Sequence, residues 1–142
     1  PTVTQAETAG LSVRDAVTIA SLIEAETGKS DERALVSGVY HNRLERRMLL
    51  QCDPTLLYAL RLDGRTDRNI RRSDFDNESP YNTYRFAGLP PGPVGNPGEA
   101  SIVAALYPAE TDYLYFVGRN DGSHAFSRTL QEHNANVNRY QR

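Results

Sequence analysis

Residues 12–28 read SVRDAVTIASLIEAETG, and the order of polar and apolar residues in this stretch decides how the chain begins to fold. Ser12 with Asp15 has the S-x-x-D form of a capping box, which satisfies the first free backbone N–H groups of a helix. Ala16, Val17, Ile19, Ala20, Leu22 and Ile23 then recur at helical spacing, so the pattern predicts a helix over about residues 13–27, stopped at Gly28. Its last turn carries two carboxylates, Glu24 and Glu26. Most glutamates near helix ends are solvated surface residues, so their position alone does not assign chemistry.

Working outward, a second helix is expected after Ser30, with Leu35, Val36, Val39, Tyr40 and Leu44 on one face and Arg46 and Arg47 at its end, where cations suit the helix dipole. Asp53-Pro54 reads as an N-cap followed by proline at the first helical position, so TLLYAL should form a short helix. From Asp63 to Gly98 the chain turns polar and rich in proline and glycine. A stretch this long without periodicity is either functional or disordered, and its tyrosines, Phe86 and Leu89 favour a folded loop. Asn96-Pro97-Gly98-Glu99 resembles another capped start, leading into ASIVAALY. DYLYFVGR and SHAFS flank Asn120-Asp121-Gly122, a strong hairpin signal, and Thr129 with Glu132 caps a last polar helix. Helices and a hairpin in separate runs predict an α+β fold: one domain with a helix pair, a long Pro/Gly-rich loop, a β-hairpin and a C-terminal helix.

The chain has 142 residues, which fits one domain. Its formal charge of −2 gives no electrostatic reason to expect nucleic acid as a partner. The single cysteine, Cys52, excludes an internal disulfide and a cysteine-based zinc site. No run approaches the roughly 20 apolar residues of a membrane span. Residues 1–10, PTVTQAETAG, read as a linker, with any anchor expected upstream of them.

Several familiar arrangements fail on spacing. Gly28-Lys29-Ser30 ends like a phosphate-binding loop, but Ile23 stands where the pattern needs a glycine. His41, His124 and His133 lack the H-E-x-x-H arrangement, and neither Ser127 nor Cys52 has a nucleophile context, so neither a metal nor a cofactor is expected. Carboxylates remain. On a helical wheel Glu26 has Leu22 and Ile23 as neighbours, whereas Glu24 has Ala20 and Ser21. A glutamate half protonated near neutral pH needs ~3.7 kcal/mol from its surroundings, and a helix C-terminus supplies only about 0.3–1 kcal/mol. Desolvation must provide the rest, so a lid or cleft is expected over the helix end.

LSVRDAVTIASLIEAET, YHNRL, QCDPTLLYAL, YNTY, GLPPGPVGNPG, YLYFV and HAFS, in that order, are similar to the catalytic domain of the endolytic murein transglycosylases, the YceG-like family. Seven motifs in order span essentially the whole chain and place the domain at residues 11–142. The resemblance implies cleavage of the β-1,4 bond between N-acetylmuramic acid and N-acetylglucosamine inside peptidoglycan glycan strands. The muramic 6-hydroxyl attacks its own anomeric carbon, leaving 1,6-anhydro ends. It makes Glu26 the catalytic residue, first acid and then base. It also implies a place in the cell envelope, at the outer face of the cytoplasmic membrane, with peptidoglycan synthases as possible partners. Ala25 and Cys52 depart from the family, which often has lysine at the first position and serine or threonine at the second.

Asn42, Gln51, Asp53, Tyr81, Asn82, Thr83 and His124 are candidate polar contacts to sugar, and Tyr84 and Phe126 candidate apolar surfaces. Arg43 is a candidate substrate contact and a candidate partner of Glu26 or Glu24. Two rival functions are a lysozyme-type hydrolase with Asp53 or Asp74 as second carboxylate, and a non-catalytic peptidoglycan-binding module.

Overall fold

Helix α1, Val13–Glu26, lies at the centre of the computed structural model, which describes residues 10–141. The linker expected at the start of the chain therefore falls, Gly10 apart, outside the described residues. The Ser12 half of the capping box forms, with Ser12 Oγ accepting the Asp15 N–H at 3.0 Å. Every residue from Thr18 to Ile23 is buried, so α1 is enclosed on nearly all sides rather than along one stripe. Ile19, Leu22 and Ile23 contribute roughly 1.5–3 kcal/mol each by leaving water. The buried hydroxyls are satisfied locally: Thr18 donates to the Arg14 carbonyl at 2.8 Å and Ser21 to the Thr18 carbonyl at 2.7 Å.

Around α1 pack α2 (Arg33–Glu45), α3 (Asp53–Leu62) and α4 (Glu99–Leu106). Gly38 of α2 is required by close approach, since a Cβ there would stand 2.8 Å from the Ala109 carbonyl oxygen. The same helix holds the segment leading into the hairpin. Asn42 Nδ2 donates to the Thr111 and Tyr113 carbonyls at 2.8 and 2.9 Å, and Arg43 Nε donates to the Leu114 carbonyl at 2.6 Å. The hairpin is β1 (Tyr115–Gly118) antiparallel to β2 (His124–Ser127), with Phe116 opposite Phe126. Asn120 and Gly122 take the left-handed backbone that the Asn-Asp-Gly turn predicted. Helix α5, Leu130–Tyr140, starts at a Thr129 cap bonded to the Glu132 N–H and packs on both strands. The fold is α+β, as the sequence indicated.

The long loop is folded. A short 3-10 turn spans Arg72–Asp76, and Arg65 binds both carboxylate oxygens of Asp74. The Pro-rich part is pinned along α1: Arg14 donates to the Pro91 carbonyl at 2.7 Å, Ser21 Oγ accepts the Val94 N–H at 3.1 Å, and Glu24 Oε1 accepts the Gly98 N–H at 2.8 Å.

Two expected caps are corrected. Asp53 is the first residue of α3 rather than its cap, which is Cys52 without a side-chain bond, because the Asp53 carboxylate turns away to accept the Tyr84 hydroxyl. Likewise α4 is capped at Gly98, not Asn96. Gly98 has no side chain to offer, so Glu24 supplies the carboxylate from α1, binding the Gly98 N–H and the Ser101 hydroxyl.

Those two donors hold the Glu24 carboxyl below its ordinary range. Its contribution is therefore full above the unfolded value of about 4.3 and lost as pH falls through the lower folded value. Glu24→Ala should destabilise the fold by about 0.5–1 kcal/mol at pH 7, the lower part of the capping range because the carboxylate is exposed. In urea titrations the gap from the wild type should close once the pH is low enough to protonate the folded carboxylate.

Candidate active site

At Glu26 the helix ends, and Thr27 turns extended while its N–H returns to the Ile23 carbonyl. The chain then passes Gly28–Ser30 and reaches Glu32, which directly precedes α2. Glu32 is buried and faces the start of β2. Its Oε2 accepts the His124 backbone N–H at 3.0 Å, and its Oε1 stands 2.8 Å from His124 Nδ1. The other ring nitrogen, Nε2, lies 3.6 Å from Glu26 Oε1. The three side chains form a line, Glu32–His124–Glu26, with the His124 side chain only 8% exposed and the Phe116 ring edge-on to it at 5.3 Å. The two carboxylates, Glu26 foremost, raise the His124 pKa above its ordinary value against the opposing effect of burial.

Glu26 stands where two hollows meet. One, of about 370 Å³, is walled by Tyr40, Arg43, Gln51, Tyr84, Tyr115 and His133; the other, of about 270 Å³, by Ala25, Leu57, Tyr58, Arg61 and Arg68. Glu26 and Asp53 line both. The expected cleft over the helix end is present, and its walls are α3, α2 and the hairpin with α5. The long Pro/Gly-rich loop reaches it at Arg68, Tyr84 and Val94. Gln51, on the first wall, holds a left-handed backbone at φ 50°, a strained geometry for a residue with a Cβ.

The sequence-predicted residues divide clearly. Glu26, Arg43, Gln51, Asp53 and Tyr84 line the first hollow, and His124 contacts Glu26 from behind. Arg43 pairs with neither glutamate; its guanidinium serves the Leu114 and Leu49 carbonyls. Burial of Tyr84 and the adjacent Asp53 push the Tyr84 pKa up, so its hydroxyl stays a donor to Asp53. Asn82 and Thr83 are buried and bind only protein: Asn82 the Phe75 and Asn77 carbonyls, Thr83 the Cys52 N–H and the Thr55 hydroxyl. Asn42 faces a separate depression, Tyr81 packs on Tyr58, and Phe126 packs between Phe116 and Tyr113. Asp74 is held by Arg65 on another surface.

Sequence reasoning missed Glu32, Tyr115 and His133. Glu32 sits in KSDER and reads as a solvated charge, and only its buried placement beside His124 distinguishes it.

The profile of the YceG-like family matches residues 2–139. The chain belongs to that family. An endolytic murein transglycosylase of Bacillus subtilis is 44% identical over 130 residues, covering 92% of this chain and 35% of the relative. One of Streptococcus pneumoniae is 38% identical over 133 residues, covering 89% and 24%. A crystal structure of a YceG-like protein from Listeria monocytogenes superposes with a TM-score of 0.83 at 42% identity, covering 93% of this chain and 41% of that one. The chain thus spans about a third or less of the length of these curated relatives.

Cys52, one of the departures from the family, is buried, and its Sγ lies 3.3 Å from the Tyr40 hydroxyl. Burial, with the nearby Glu26 carboxylate, pushes its thiol far up, so no thiolate is available for chemistry. Native protein should react with a thiol reagent only at the rate of its opening, and full reactivity should return in denaturant. Cys52→Ser should fold and keep its Tyr40 bond. Rapid labelling of the native protein would contradict this placement.

Proposed function

We propose that this chain is the catalytic domain of an endolytic peptidoglycan lytic transglycosylase that cuts the N-acetylmuramic acid–β-1,4–N-acetylglucosamine bond and leaves 1,6-anhydro ends. The observation that carries this is the position of Glu26 at the junction of two hollows, so that a strand lying through both presents one internal glycosidic bond to it. Glu24 is occupied in capping α4 and Asp74 in binding Arg65, which leaves Glu26 as the carboxylate free to exchange a proton.

In the first step the Glu26 carboxyl donates its proton to the glycosidic oxygen as the bond to the anomeric carbon breaks. In the second, the resulting carboxylate takes the proton of the 6-hydroxyl as that oxygen closes on the anomeric carbon. One group serves both steps because no water enters, whereas glycoside hydrolysis needs a second carboxylate. Tyr84 offers apolar surface to a sugar ring, and Gln51 and the free oxygen of Asp53 offer polar contacts. Arg61 and Arg68, with no carboxylate within ion-pair distance among the described residues, suit the acidic peptide stems of the strand. By the same reading the domain works in the cell envelope, at the outer face of the cytoplasmic membrane and beside peptidoglycan synthases. No described helix is long and apolar enough to cross a membrane.

Hydrolysis is the second reading, favoured by one feature: Asp53 shares the cleft with Glu26. Product chemistry separates the two. Purified strands should yield 1,6-anhydro-muramic ends carrying no oxygen from labelled water, whereas a labelled reducing end would establish hydrolysis. Glu26→Gln should lower the rate by on the order of 100- to 10,000-fold with the fold intact, and Glu24→Gln should stay within about tenfold of the wild type. The reverse order of damage would remove Glu26 from its role.

A further inference from the structure

The line Glu32–His124–Glu26 is more than a support for the hairpin. We propose that in the resting enzyme the proton Glu26 delivers is carried by His124, and that Glu32 is the positioning residue which fixes the imidazole for that exchange. This rests on the reading of Glu26 as acid and base.

The geometry runs in one direction. Glu32 accepts from the His124 backbone and faces Nδ1 at 2.8 Å, so Nδ1 keeps its hydrogen in both charge states of the ring. Only Nε2 is left to gain or lose a proton, and it faces Glu26 at 3.6 Å. That gap exceeds hydrogen-bond distance, so the exchange requires the part-exposed Glu26 side chain to move closer. With one mobile proton, the imidazolium beside the Glu26 carboxylate and the neutral imidazole beside the Glu26 acid have the same net charge. Moving the proton between them exchanges nothing with water.

Among the described residues, no other charge competes for the ring. From α1 it meets Glu26, from the turn before α2 Glu32, and from β1 the uncharged Phe116. Lys29 reaches the hairpin turn at Gly122, beside Asp121, rather than the imidazole. From α5, His133 stacks on Tyr115, and burial lowers its own pKa. The raised pKa of His124 agrees with a proton retained there where an unassisted carboxyl group would be empty. The proton is thus kept within the site at neutral pH, and its passage from Nε2 to the carboxylate is an uphill step whose cost does not depend on pH while the imidazolium persists.

The step balances. The Nε2–H bond breaks as the Glu26 O–H bond forms; that proton passes to the glycosidic oxygen, which keeps the electron pair of the broken C–O bond. The 6-hydroxyl proton goes to Glu26 as the new C–O bond closes, and returns to Nε2.

The pH–rate profile on purified strands tests this. The wild-type rate should fall only as pH rises through the raised histidine value. His124→Gln keeps an amide near Nε2 but no titrating proton, so its fall should begin in the carboxyl range. Its rate at pH 7 should lie on the order of 100-fold below its own acid plateau. Glu32→Gln should move the fall to lower pH by weakening the hold on the imidazolium. Independently of activity, nitrogen NMR shifts of His124 should show an imidazolium persisting above pH 6.5, with a midpoint lowered in both Glu26→Gln and Glu32→Gln. An unchanged profile in folded His124→Gln, its inactivity at every pH, or a His124 ring already neutral at pH 6 would overturn the relay. A wild type that makes hydrolytic ends would instead refute the transglycosylase reading, while the NMR titration would still decide where the resting proton sits.

Discussion

The enclosure of α1 is the constraint on which the rest of this molecule depends. A helix with six consecutive buried residues cannot be solvated anywhere along its middle, so its surroundings must be drawn from several distant parts of the chain. That is why α2, α3, α4 and the Pro-rich loop all converge on it. Only the last turn emerges, and it emerges into a cleft rather than into bulk water. A carboxylate at that point is held by the best-packed element of the domain while remaining reachable by a ligand, which is the combination a proton donor requires.

Glu24 and Glu26 show how two residues apart in sequence becomes two separate duties. At about 100° per residue they point about 200° apart around the helix, so they cannot share a neighbourhood. One faces the unsatisfied N–H groups at the start of α4 and is drawn into them as an ionised cap. The other faces the cleft and His124. The cap also anchors the end of the Pro-rich loop.

Much of this was legible in the sequence. The capping box, the helix periodicities and the Asn-Asp-Gly turn act through contacts a few residues apart, so their signals are local, and the α+β fold follows from them. What failed were the caps of α3 and α4. At α3 the Asp53 carboxylate is engaged by Tyr84, distant in sequence, and at α4 the helix starts at Gly98 instead of Asn96, with the carboxylate supplied by Glu24. The site was less legible for the same reason. Asn82, Thr83 and Asn42 are polar and lie in motifs, and the structure shows what the motifs do not, that all three side chains, two buried and Asn42 half-buried, are turned to backbone groups of the protein. Glu32 was invisible because a carboxylate 92 residues from its histidine leaves no spacing to read.

The same bonds that arrange the site also hold its least stable part. A two-stranded hairpin is marginal by itself in water and needs packing and anchoring from elsewhere. Here Arg43 fixes the approach to β1 through the Leu114 carbonyl, α5 covers both strands, and Glu32 clamps the first residue of β2 by backbone and ring at once. Burial lowers the Arg43 pKa, yet its guanidinium remains charged far above neutral pH, so its bonds to carbonyls are of the stronger, charge-assisted kind. Arg43 and Glu32 therefore carry opposite charges to the two ends of the hairpin's strand pair without meeting each other. Each binds a backbone polar group at the hairpin, Arg43 the Leu114 carbonyl and Glu32 the His124 N–H. The position of His124 relative to Glu26 is thus set by the fold's own need to secure a weak sheet, and geometry at the C-terminal end of α1 cannot be loosened without loosening the hairpin as well.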